Sequence, residues 1–200
     1  IGTGRCGSKL IRSMLNCHSE IKLCRDAWFI PELYAQFGLK EISTDQYFDV
    51  MSEHYGSNGQ RWIENIAITC VKNPSKVKEQ FLESCNQKRK GSIKYFTEKY
   101  YESIYGSNTN YLGDNTPHNG HIIKEIKTIW PNAKIIHLIR NGYFVAKSMR
   151  MHPGFSRWIN SGLHPSELSR SHYKKQIFEY KLETPSLSEA LKFWEKSIID

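Results

Sequence analysis

Twice in this chain a short apolar stretch meets basic residues and turns at once into a helix, and these two units constrain the fold more than any other feature. Residues 1–3 read as the end of a buried strand, followed by Gly4-Arg5-Cys6-Gly7-Ser8 and a helix with Leu10, Ile11, Met14 and Leu15 at helical spacing. Residues 133–139 are apolar apart from Lys134 and His137, the pattern of a strand covered on both faces, and residues 141–149 become helical directly after Arg140. Strands that alternate with helices predict an α/β fold with a parallel sheet, whose ligands sit at the carboxyl ends of the strands.

Between the two units lie a short strand at residues 22–24 and a helix over 29–37 with Pro31 in its first turn. From about residue 43 to 105 only helical periodicity is present, broken at 56–59, at Asn73-Pro74 and at Lys90-Gly91, so this stretch reads as a helical insertion. A strand at 111–113 precedes a helix that Pro117 starts and Pro131 stops. After the second unit come a loop over 151–164 and helices near 165–182 and 186–199. The 200 residues make one domain. The chain begins without Met, inside a strand, and reads as incomplete at both ends.

Net charge is +8, and residues 1–12 and 134–150 contribute three and four cations with no acid, which is seven of the eight. Two short basic segments far apart in sequence predict a compact anion pocket; a nucleic-acid binder spreads its cations along a face or tail. No nucleic-acid partner is expected. Nor does any apolar run approach the roughly 18 residues that span a bilayer. Cys6, Cys17, Cys24, Cys70 and Cys85 are odd in number and lack metal-ligand spacing, which favours ordinary thiols in a reducing, cytoplasmic setting and no metal.

The glycines of the first loop let backbone N–H groups approach an anion, and the following helix start adds partial positive charge. The loop is not a Walker A motif, because Ser8 separates Gly7 from Lys9. In the second unit Ser148 follows Arg140 by eight residues, a little over two helical turns, so both side chains can lie on one side and grip one phosphate. Taken singly, each residue also has an ordinary role in packing or capping.

Together the units resemble the sulfotransferase family, most closely its protein-tyrosine and bacterial group, whose donor is 3′-phosphoadenosine 5′-phosphosulfate (PAPS). The family's first signature, Arg or Lys followed by Ser-Gly-Thr-Thr and a helix, corresponds to Arg5-Cys6-Gly7-Ser8-Lys9, and its second to Arg140 and Ser148. Trp130-Pro131-Asn132-Ala133-Lys134 and Gly113-Asp114-Asn115-Thr116-Pro117 are also similar to family segments, and the likeness covers residues 1–38 and 111–155. It implies a P-loop-like three-layer fold around a central parallel sheet. The loop residues Arg5, Cys6, Gly7, Ser8, Lys9 and Leu10 would hold the 5′-phosphosulfate, and Arg140 with Ser148 the 3′-phosphate. Arg5 would also neutralise the leaving phosphate. Asp26 matches the family's carboxylate after the first helix and is the expected general base. His18 is a rival, and His118 and His121 flank the Asn115 segment. Departures are Cys6 for the usual Ser, Lys9 for Thr, Asn115 where a Lys is common, and Asn141 and Tyr143 where Asp and Arg are common.

The implied activity moves a sulfuryl group from PAPS to a hydroxyl or amine acceptor (glycan, lipid, small molecule or tyrosine), releases 3′,5′-ADP and needs no metal. A P-loop kinase or nucleotide-binding protein is the alternative enzyme class, opposed by the Ser8-Lys9 order and by the lack of an evident Walker B strand. A non-catalytic polyanion-binding module is the third class, favoured by the basic charge. Metal-free 3′,5′-ADP binding, Mg-dependent ATP binding, and salt-sensitive polyanion binding alone discriminate the three.

Overall fold

The structure is a computed structural model and describes residues 1–24, 29–53, 77–85, 88–164 and 182–199. Its elements are α1 (Ser8–Asn16), β1 (Ile21–Cys24), α2 (Phe29–Phe37), β2 (Ile42–Ser43), α3 (Thr44–Glu53), α4 (Val77–Ser84), β3 (Lys90–Gly91) and α5 (Ile93–Tyr105). Next come β4 (Tyr111–Asp114), a 3-10 segment (Pro117–Ile122), α6 (Ile123–Ile129), α7 (Gly142–Arg150), α8 (Pro153–Ser161) and α9 (Leu187–Ile199). This is a mixed helix and strand fold with a small parallel sheet.

Strands β1 and β4 pair in parallel, with Cys24 opposite Asp114, so both chains leave the sheet at the same edge. The two halves of the molecule also meet at residues 1 and 136–138. The Ile1 nitrogen donates to the Ile136 carbonyl (2.7 Å), and the Leu138 N–H donates to the Ile1 carbonyl (3.0 Å). Such a slanted pair of bonds is the unit of a parallel ladder. It sets the first and second units side by side and carries their loops to one end.

Three expectations change. Neither residues 1–3 nor 133–139 form a strand: they meet through the two bonds at Ile1, and 133–139 are not covered on both faces, since Ile135, Ile136 and Ile139 are 39%, 53% and 86% exposed. An apolar run records a strand's preference for burial without recording whether a layer packs on it. The insertion is not purely helical, because β2 and β3 pair antiparallel, Ile42 opposite Gly91, and close its base. The stretch 151–164 is not a loop. Pro153 at the first helical position and Gly162 at a left-handed C-cap (φ 68°) bracket α8, the asymmetry by which Pro opens and Gly ends a helix. The helix expected near 165–182 lies outside the described residues except for Leu182.

Two apolar cores result. The larger joins β1, α2, α3, α4 and α5 through Phe29, Tyr47, Phe81, Phe96 and Tyr100, with Tyr47 and Phe81 stacked at 5.7 Å. The smaller joins α7, α8 and α9 through Val145, Met149, Trp158 and Phe193. The first unit's helix contributes no buried residue to either, and Leu10 and Met14 are exposed. Among the described residues no helix is long and apolar enough to cross a membrane.

Candidate active site

The loop between residues 2 and 8 is shaped by left-handed backbone. Gly4 (φ 79°), Arg5 (φ 54°) and Gly7 (φ 104°) all lie in that region, and only Arg5 has to bear the Cβ crowding it imposes. Gly4 is doubly required, because a Cβ there would lie 2.4 Å from the Phe155 ring. Gly2 approaches Cys6 just as closely, with its missing Cβ 2.5 Å from the Cys6 Sγ. At Gly7 the corresponding space is open. Gly7 is the N-cap of α1 and its carbonyl accepts from the Leu10 and Ile11 N–H groups. No side chain caps the helix and no acid stands in its first turn, while the Ser8 and Lys9 N–H groups have no partner among the described residues. An uncapped helix start of this kind, flanked by Arg5 and Lys9, attracts anions.

The second unit reaches the same place. Arg5 Nε donates to Ser148 Oγ at 3.1 Å, and Arg140 Nη1 donates to the Arg5 carbonyl at 3.0 Å. Arg5, Arg140 and Ser148 are therefore in one cluster, although the contacts span 135 and 143 residues of sequence. Asn141 starts α7 by accepting from the Tyr143 N–H (3.0 Å), so it serves as the helix cap. Ser148 is on this helix, half-buried, two turns after Arg140.

His152, which the sequence reading did not single out, belongs to the same cluster. Its Nδ1 is buried without a partner, and its ring packs on Phe155 (5.6 Å between centroids), the ring that covers Gly4. Burial lowers the His152 pKa from its ordinary value, and the charges of Arg5 and Lys9 lower it further. His152 lies past the end of α7, as the extended N-cap of α8, so no helical spacing in the sequence tied it to Ser148.

Beyond the carboxyl end of β4 the chain folds back on Asp114, whose Oδ1 accepts from the Thr116 N–H (2.8 Å) and from Asn119 Nδ2 (2.6 Å). Asn115, Thr116 and Asn119 are buried here. Asp26 lies outside the described residues. His18 stands at the other end of α1, exposed, with its Nδ1 accepting the Glu20 N–H. Nine helical residues at about 1.5 Å each separate it from the loop. His121 packs edge-on against His164 (5.7 Å) and lines a narrow cleft with Gly2, Thr3, Pro117, Phe155 and Phe193. His118 falls within the 3-10 segment. Among the described residues no group of three or more His, Cys, Asp or Glu is gathered to hold a metal ion.

A family model described as "Sulfotransferase family" matches residues 1–183 of the chain. No curated protein and no solved structure matches it.

Proposed function

The chain belongs to the sulfotransferase family, and from that premise we propose that it transfers a sulfuryl group from PAPS to a hydroxyl or amine acceptor and releases 3′,5′-ADP. The observation that carries this reading is the meeting of Arg5 with Arg140 and Ser148. It supports one anion site built from both units, P-loop-like in its use of a glycine loop and helix start. An uncapped helix start beside open space at Gly7 suits a phosphosulfate, which brings its own negative charge and hydrogen-bond acceptors.

In this reading Arg5, Cys6, Gly7, Ser8, Lys9 and Leu10 surround the 5′-phosphosulfate, and Arg140 and Ser148 hold the 3′-phosphate. The acceptor oxygen forms a bond to sulfur as the bond from sulfur to the bridging phosphate oxygen breaks. The bridging oxygen keeps that electron pair, and Arg5 stabilises the charge it leaves on phosphate. The acceptor's proton passes to the Asp26 carboxylate.

Calorimetric titration tests the donor. Without divalent metal the wild type should bind 3′,5′-ADP much more tightly than 5′-AMP. Hydrogen bonds to charged groups contribute about 1.5–3 kcal/mol, so Arg140→Ala should weaken 3′,5′-ADP by roughly 10- to 100-fold. Equal affinity of the wild type for both nucleotides overturns the reading.

A further inference from the structure

The cluster at the donor loop has no counter-charge of its own. Arg5, Lys9 and Arg140 stay cationic through the neutral range, and neither residues 1–19 nor residues 126–166 contain an Asp or Glu. Beside them, His152 is a group whose charge can change near neutrality. Its backbone is pinned at the junction of α7 and α8, the N–H donating to the Met149 carbonyl (2.9 Å) and the carbonyl accepting from the Ser156 N–H (2.8 Å). The ring is held against Phe155, which fills the space over Gly4. Its Nδ1 is buried without a partner among the described residues, so no acceptor there favours the charged ring.

Burial, and then the charges of Arg5 and Lys9, hold the imidazole below its ordinary pKa. The same field acts in reverse for a ligand. A dianion lying between Arg5 and Lys9 offsets their effect on the ring and attracts a proton to it. The other elements packed here do not take that role. α7 and α8 bring Lys147, Arg150 and Arg157, and α9, packed on both, brings Glu189, Lys192, Glu195 and Lys196. None of these is among the charges that shift the ring, which leaves an anion at the loop as the charge that can move it.

We propose that His152 makes the anion site proton-linked: the ring takes a proton from solvent as a phosphate or sulfate dianion settles among Arg5, Lys9 and Ser148, so that falling pH tightens donor binding. The proposal rests on the donor-site reading above and adds a regulation of that same site. Linkage is reciprocal, so an anion that raises the ring's midpoint by about one pH unit is itself bound about tenfold more tightly below the free midpoint than above the bound one.

The test separates the two. NMR of the His152 Cε1 proton, assigned through the backbone, titrates the ring of the wild type from about pH 5 to about pH 8 without added anion, with saturating sodium sulfate, and with saturating 3′,5′-ADP. Sulfate remains a dianion throughout and adds no titration of its own. Sodium chloride at the same ionic strength reads screening, and His18, exposed at the far end of α1, reads it on a bystander. The His152 midpoint should rise by about one unit with sulfate or with the nucleotide and not with chloride. Sulfate affinity should gain about tenfold toward low pH in the wild type and lose that gain in His152→Gln. No rise with either anion, an equal rise in chloride, or the same pH dependence in His152→Gln overturns the proton link, even where 3′,5′-ADP is preferred to 5′-AMP and the donor reading stands. A rise with sulfate where the two nucleotides bind equally supports the proton link, and only the donor reading falls.

Discussion

In the proposed transfer Asp26 receives the acceptor's proton; on His152, burial and the charges of Arg5 and Lys9 disfavour one. Asp26→Asn should lower turnover by about 10²-fold or more and leave 3′,5′-ADP affinity nearly unaltered, since general-base catalysis acts on the acceptor's proton and not on donor binding. Near-normal turnover at saturating acceptor assigns the proton elsewhere. His152 enters through stability. Its folded pKa lies below the ordinary value through burial and through Arg5 and Lys9. The unfolded chain therefore takes up this proton first as pH falls, and stability held above pH about 6.5 is lost as pH drops through that value toward the folded pKa. Thermal midpoints measured from pH 7.5 to 5 should decline in the wild type and decline less in His152→Gln; parallel curves would show that the imidazole is not strained by its neighbours. That Arg5, Arg140 and Ser148 meet was foreshadowed by the two basic segments and by the eight-residue spacing of Arg140 and Ser148, with the family resemblance joining Arg5 to them. That His152 joins them was not. What marks it is an atom buried without a partner, a property of packing that no local pattern carries.

Among the elements, α7 and α9 pack on each other extensively and approach closely at Gly142. A Cβ on Gly142 would lie 2.2 to 2.5 Å from ring atoms of Trp194, so the indole rests directly on the start of the helix that presents Ser148. Gly142→Ala should destabilise the protein by about 1–3 kcal/mol, the usual cost of overpacking. Adding Trp194→Leu should recover part of that loss, a coupling that a double-mutant cycle in denaturant measures; simple additivity would argue against the contact. The alternation of elements was legible because short apolar stretches mark β1 and β4 and longer amphipathic stretches mark α2 and α9. Two stretches misled for opposite reasons. Residues 151–164 read as a loop, yet Pro153 and Gly162 within them are the two ends of α8. Residues 133–139 have the composition of a covered strand, yet their burial depends on neighbours and not on their own order.

Over the whole molecule, the larger core gathers the insertion and the smaller gathers the last helices, while the candidate site draws on residues from both ends of the chain. The Arg5 to Ser148 bond spans 143 residues. That separation has a kinetic meaning. Bringing such distant segments together costs loop-closure entropy before any contact repays it, at roughly 0.6 kcal/mol for each doubling of the free loop, and local helices form far sooner. The site should therefore be completed after the folding barrier has been crossed. A nucleotide that binds only the finished site stabilises the native state and not the transition state. In stopped-flow experiments 3′,5′-ADP should slow unfolding in proportion to its binding energy and leave the folding rate unaltered; an accelerated folding limb would mean that the two ends of the chain meet early.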